Sequence, residues 1–580
     1  MLDANPFPTG AFEGRLGTVL VRFNLSVGPD DRLAVTIDSP HQGAYAIPCD
    51  SVSIRDATLA FTVPSIQASW SGTFLEGDRT LSGIWTQTTA SSLVLTRDTF
   101  EPAMLPPPVD GIWLGTLSLE DERLRIQLVI RTDANGVTRV RLDSVDQHAA
   151  ELEGAMASLD SDRFSFEVPS IRGRWEGQLQ NDAQTLQGTW RQLKTRPLNF
   201  KRQAALIPIE PRPMPRMLPA RPPVPIDDLD ALLKVDMAES LAKGWLCESR
   251  QGALAIGVMR AGKRVVLTYG AATPESLFEI GSVTKPFTGL LLAQLSLQGR
   301  VALDESVDTF LGRQSAMKEG EVPISLLDLS THHSGLPRLP ENMTPADPAN
   351  PYADYDEPKL LEYLSSIRLV RAAQTEFEYS NLGVGLLGYL LSKRAGMAFL
   401  DLLSQQILEP LDMRETFIDA PASSQEHCIQ GRNRKGKAVP AWDLGVLAGA
   451  GGIRSTASDM LTFLAAFLDP ERVSPRGGLP GETLGAALVE AQLARADAPG
   501  SSICLGWSRY GDPETYGHSG ATDGFSSHCS FSHDDETAII VLTNSGPNGT
   551  ASMAANMHAY VLARLRGKDA PLPPDCSLGA

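Results

Sequence analysis

The sequence predicts a multidomain chain: two β-rich repeats, each a small barrel or sandwich, then an α+β domain whose antiparallel sheet is flanked by helices. Three observations carry this prediction. The first two hundred residues repeat themselves, a proline-dense stretch interrupts the chain near residue 204, and helical and strand periods alternate beyond it. At 580 residues the chain also exceeds what one hydrophobic core serves.

The repeat appears when Phe61-Thr62-Val63-Pro64-Ser65-Ile66 is laid over Phe166-Glu167-Val168-Pro169-Ser170-Ile171, an offset of 105 residues. The same offset superimposes Trp70 on Trp175, Trp85 on Trp190, Gln42 on Gln147, Gln87 on Gln192 and Arg97 on Arg202. A match that long is duplication. A different register aligns Phe12-Glu13-Gly14 with Trp113-Leu114-Gly115. Each copy alternates apolar and polar residues. Leu124 to Ile130 and Val137 to Leu142 flank the turn signal Asp133-Ala134-Asn135-Gly136 and read as a hairpin. The tryptophans read as core rather than as a ligand platform. The copies occupy 1–100 and 101–203 and carry no constellation of reactive side chains.

Between residues 204 and 226 prolines recur too densely for a helix or a central strand, which predicts an extended linker. The α+β domain spans 227–568, with a tail at 569–580. Asp228 to Lys243 reads as an amphipathic helix. Ala253 to Met259 and Val265 to Tyr269 read as a hairpin turning at Ala261-Gly262, and Phe525 to Phe531 and Thr537 to Thr543 as another. Met553 to Arg566 reads as a closing helix.

Composition narrows the function. A formal net charge of -18 argues against nucleic acid or an anionic membrane as partner. The amino terminus lacks a secretory pattern and no apolar run is long enough to span a bilayer, so a cytoplasmic protein is expected. The six cysteines have neither metal-ligand nor redox spacing and read as free thiols.

Chemistry concentrates in three stretches. Ser282 and Lys285 stand three residues apart at a helix start marked by Pro286, so hydroxyl and amine share one face. An amine kept partly neutral can take the hydroxyl's proton. Tyr379-Ser380-Asn381 offers a phenol that a nearby cation could help ionise and a carboxamide, just before an apolar helix; the plain alternative is a helix N-cap. His518-Ser519-Gly520-Ala521 leads small residues into a strand whose main-chain N–H could hold an oxyanion; the plain alternative is a turn before an edge strand.

In their order and context these stretches resemble the serine β-lactamase and penicillin-binding-protein superfamily, in particular its class C-like branch of cephalosporinases, carboxypeptidases, D-amino-acid peptidases and esterases. Two further segments fit that resemblance: Thr331-His332-His333-Ser334-Gly335-Leu336, and Gly451-Gly452-Ile453-Arg454-Ser455-Thr456-Ala457-Ser458-Asp459. The resemblance covers about Asp227 to Arg566. It implies that Ser282 forms an acyl-enzyme while Lys285 and Tyr379 share the proton transfers. It further implies that Asn381, His518, Gly520 and Ala521 bind substrate, with the N–H groups of Ser282 and Ala521 holding the oxyanion, and that no metal or cofactor is required. One departure stands out: β-lactamases usually carry lysine where this chain has His518, so peptides or esters are expected ahead of penicillins. The expected function is a serine hydrolase of small peptides. A carboxylesterase on the same fold and a non-catalytic penicillin- or peptide-binding protein are the alternatives. The expected partners are a small peptide or ester and, through the β-rich repeats, a second copy of the chain.

Overall fold

The computed structural model describes residues 9–571 except 17–18, 28–31, 40–43, 56, 64–65, 67, 76–78, 87–89, 98–102, 120–122, 148, 172, 193–194, 210–216, 313–321, 370–371, 434, 474–482, 499, 512 and 548–551. Gln42, Pro64, Ser65, Gln87, part of the predicted linker and the tail from 572, with Cys576, lie outside the described residues. The chain divides into two units, residues 1–214 and 215–580.

The first unit holds two nine-stranded antiparallel sheets, one per repeat. In the first, consecutive strands pair in a meander and Gly10–Leu16 also pairs with the last strand, Ala90–Thr96. Ala44–Pro48 and Asp50–Arg55 stand at the two ends of that order, so the barrel is nearly closed. The second closes: Gly111–Ser118 pairs with Phe200–Gln203, and Gly173–Leu179 with Thr185–Arg191. Trp70 sits opposite Trp85, and Trp175 opposite Trp190, all at most 4% exposed. These rings fill the barrels, as the alternation of inward apolar residues requires. The duplication extends to contacts: Arg97 lies over Phe12 at 4.7 Å and Arg202 over Trp113 at 4.2 Å.

The second unit is built on an eight-stranded antiparallel sheet. Its order is Lys263–Gly270, Ala253–Arg260, Thr537–Thr543, Ser526–Ser532, Thr515–Ala521, Ser508–Tyr510, Ser501–Ile503 and Ala496–Ala498. Ala261 and Gly262 both take positive φ, the conformation that a tight two-residue hairpin turn demands. Strand Ala253–Arg260 is apolar on both faces because helices cover both. Leu254, Ile256 and Val258 pack with Tyr560, Val561 and Leu565 of helix Met553–Arg566. Ala253 and Ala255 face the larger core, which includes helices Thr284–Leu297 and Ala457–Leu468.

Two features differ in detail from the sequence reading. The helix expected over 228–243 is two, Leu229–Asp236 and Ala238–Lys243, which meet at Met237, a residue buried in the same core as Leu229 and Leu233. The end of the proline-rich stretch is not a free spacer. Met217–Leu218 pairs with Ala570–Pro571, and Ile226 is buried beside Leu229. Prolines suit this role, since an extended edge segment needs few N–H donors. Among the described residues no helix is long and apolar enough to cross a membrane.

Candidate active site

Ser282 lies in a single tight helical turn, Gly281–Val283, that runs directly into helix Thr284–Leu297. Phe287, Leu290, Leu291 and Leu295 of that helix are fully buried, each worth about 1.5–3 kcal/mol, so the turn stands on a rigid support. Ahead of it, Phe278–Glu279 pairs with Arg454–Ser455, which in turn pairs with Thr416–Phe417. This small sheet explains the Gly451 to Asp459 motif. Ile453 accepts from Ile280 N at 3.0 Å, and Thr456 caps its helix by accepting from Asp459 N at 3.1 Å. The Asp459 carboxylate ties back to Thr416 Oγ1 at 2.8 Å.

Lys285 is 1% exposed, and its Nζ stands 3.0 Å from Ser282 Oγ, 2.9 Å from Asn381 Oδ1 and 2.7 Å from Ala450 O. Burial holds its pKa well below the usual 10.5, and the nearby Arg338 guanidinium lowers it further. Tyr379 completes the group: its hydroxyl faces Ser282 closely enough for that residue to pull its pKa down, and its ring lies 4.9 Å from Lys285 Nζ and 5.2 Å from the Arg338 guanidinium. Burial pushes the phenol up to about 12, against the opposing pull of Ser282 and Arg338. The expected cation-assisted ionisation of Tyr379 is therefore outweighed by desolvation.

Tyr379-Ser380-Asn381 plays both parts considered from the sequence. Ser380 is the N-cap of helix Asn381–Ala395, accepting from Gly383 N at 2.8 Å, while Asn381 reaches Lys285 and lines the cleft. Its Nδ2 donates to Tyr352 Oη at 3.4 Å.

Strand Thr515–Ala521 closes the other side. Gly281 has φ +50°, and a Cβ there would lie 2.7 Å from Ala521 N. Only glycine allows that approach, and it sets the backbone of Ser282 beside that of Ala521. Gly520 is as tight, since a Cβ would meet Ile280 O at 2.0 Å. His518 is half-buried and its Nδ1 lies 2.7 Å from Ser519 O; a carbonyl only accepts, so Nδ1 carries the proton. Burial, with Lys285 nearby, pushes the imidazole down to about 3.

These residues border a cleft of about 760 Å³. Ser282, Tyr379, Asn381, His518, Gly520 and Ala521 line it, and Lys285 lies beneath. The sequence reading missed Arg338, Tyr352, Trp442 and His528, which line it too, as does Ser519 of the His518 stretch. Tyr352 and Trp442 form an aromatic wall with ring centroids 5.3 Å apart, and Ser519 Oγ meets His528 Nδ1 at 2.8 Å. Arg338 stands two residues beyond the Thr331 to Leu336 segment, a signal that could have found it; Tyr352, Trp442 and His528 come to the cleft only in three dimensions. Among the described residues no group of three or more His, Cys, Asp or Glu side chains is placed to hold a metal ion.

Known proteins share this unit. The β-lactamase of Yersinia enterocolitica is 27% identical over 347 residues, 52% of this chain and 84% of that protein. The β-lactamase of Pseudomonas fluorescens is 28% identical over 270 residues, 45% of this chain and 70% of that protein. The D-alanyl-D-alanine-carboxypeptidase/endopeptidase AmpH of Escherichia coli (strain K12) is 28% identical over 229 residues, 38% of this chain and 58% of that protein. A solved class C β-lactamase superimposes with a TM-score of 0.47 at 22% identity, covering 59% of this chain and 95% of its own. The family model described as Beta-lactamase matches residues 229–563, more than half of the chain and all of the cleft, and the chain belongs to that family of hydrolases.

Proposed function

We propose that this chain is a serine hydrolase that cleaves amide bonds of small peptides through an acyl-enzyme on Ser282. The observation that supports it is the surroundings of Lys285. Asn381 Oδ1 and Ala450 O can only accept, so a neutral amine gives them its two protons and turns its lone pair to Ser282, 3.0 Å away. Lys285 takes the serine proton as Ser282 attacks the carbonyl. The N–H groups of Ser282 and Ala521 hold the oxyanion, each contributing about 3 kcal/mol. Tyr379, protonated at rest, gives its proton to the leaving amine, and Lys285 returns a proton to the phenolate. Water then attacks the ester, its proton passes to the same pair, and Ser282 regains its own. Asn381, which lines the cleft, offers its amide Nδ2 to a substrate carbonyl in this reading.

The peptidase reading draws on the D-alanyl-D-alanine-carboxypeptidase/endopeptidase among the relatives. A carboxylesterase is the second reading, favoured by His518: an imidazole held down to about 3 offers no cation to a substrate carboxylate. A fluorophosphonate probe should label the protein rapidly, and Ser282→Ala should abolish both labelling and turnover of a peptide and ester panel. Labelling without turnover across the panel would instead favour a binding protein. For penicillins, slow acylation is expected, and His518→Lys should raise it at least about tenfold by adding a charge-assisted contact. Fast cephalosporin turnover with no gain from His518→Lys would contradict this role.

A further inference from the structure

The segment Thr331 to Leu336 has no part in the reaction proposed above, yet one of its residues holds Tyr379 through three contacts. His332 follows the short helix Leu326–Ser330 and has φ +64°, the left-handed region that few residues other than glycine adopt. It is 5% exposed. Its carbonyl accepts from Glu378 N at 2.8 Å, and its Nδ1 accepts from Ser380 N at 3.1 Å. Those are the residues immediately before and after Tyr379. The imidazole also lies against the phenol ring, with centroids 4.4 Å apart at 35°, while Phe377 braces the imidazole edge-on at 5.7 Å.

We infer that His332 is the positioning residue for Tyr379, fixing both flanking peptides and the ring so that the phenol hydroxyl keeps facing Ser282. The inference rests on the reading that Tyr379 transfers protons. The tautomer follows from the contacts: an amide N–H donates to Nδ1, so Nδ1 bears no proton. The ring is neutral, as its burial and the facing Lys285, His518, His333 and Arg338 all favour. A backbone strained at φ +64° is retained where the surrounding structure dictates it, and here that structure is the Tyr379 loop.

The test is steady-state kinetics on the full chain with a small ester of an unactivated alcohol, whose leaving group needs the proton that Tyr379 gives. His332→Gly removes the ring and the acceptor while relieving the backbone. It should lower kcat by about 100-fold with KM changed less than about threefold, the cost of misplacing a catalytic group by about 1 Å. His332→Asn keeps an acceptor near the Nδ1 position and tolerates positive φ, and it should recover most of that loss. Should the glycine variant fail to fold, His332→Phe, which keeps the ring and lacks the acceptor, gives the same comparison. The decisive measurement is a double-mutant cycle. If His332 acts through Tyr379, adding His332→Gly (or His332→Phe) to Tyr379→Phe leaves kcat within about twofold of Tyr379→Phe alone. Additive losses, or a His332→Gly enzyme as fast as wild type, would overturn the inference. A fully active Tyr379→Phe enzyme would instead overturn the reading beneath it, and the inference with it.

Discussion

In the proposed reaction Lys285 is the residue on which the chemistry turns, because its three partners allow only one arrangement of protons that leaves Ser282 activated. With Asn381 Oδ1 and Ala450 O as obligatory acceptors, an ammonium must point its third N–H at the hydroxyl it is meant to deprotonate. The neutral amine is therefore the active form. Burial and Arg338 both lower the lysine pKa, so the neutral fraction grows well below pH 10.5. For an ester substrate, kcat/KM should rise with pH and level off above that lowered pKa. Lys285→Arg, which stays protonated, should lower kcat by roughly 10²–10⁴-fold. A pH-stat profile on which kcat/KM falls as the pH rises toward neutrality would contradict Lys285 as the base. Tyr379, pushed up to about 12, is protonated at neutral pH, which suits the proton-donor part proposed for it.

At the scale of elements, the nucleophile turn is gripped between the small sheet that holds Phe278–Glu279 and the strand Thr515–Ala521. Gly281 is the point of closest approach, so Gly281→Ala tests the grip. Its Cβ would stand 2.7 Å from Ala521 N in a backbone at φ +50°, forcing the strand away and separating the two proposed oxyanion donors. A fall in kcat of roughly 10²–10³-fold with little change in KM is expected from steady-state kinetics. An unchanged kcat would mean that the Ala521 N–H is not a donor. These elements also show what a sequence can disclose. Ser282 and Lys285 are neighbours on one helix, and Tyr379 and Asn381 flank one N-cap, so local spacing revealed them. The hairpins and the closing helix Met553–Arg566 were equally legible, since period and turn residues are local. Ala450 O beside Lys285, His332 bonded to Ser380 and His528 behind Ser519 join segments 48 to 165 residues apart or lie across paired strands. Nothing in their own surroundings announces such contacts; they arise when the sheet and helices pack.

For the whole molecule, the question is where the catalytic unit begins. Among the described residues, all that line the cleft lie between Ser282 and Ser552, inside the second unit. Composition alone places the start after the last proline of the linker, near 227, but the contacts place it earlier. Met217–Leu218 pairs with Ala570–Pro571, and Val224 N donates to Arg564 O at 3.1 Å. Arg564 is 1% exposed and donates through Nη1 to Pro219 O at 2.9 Å, with Asp236 as its ion-pair partner at 3.7 Å. A chain starting at 227 removes that carbonyl and leaves a buried guanidinium short of an acceptor, a loss of roughly 1–3 kcal/mol. A chain starting at 215 keeps it. The two truncated proteins should therefore turn over a small ester at rates within about twofold of each other, since neither cut touches the site. Their thermal midpoints should differ, the shorter one lower by roughly 1–4 °C. Equal midpoints would show that the segment before 227 adds nothing to stability. Loss of turnover in a folded chain starting at 215 would show that the barrels supply something the cleft needs.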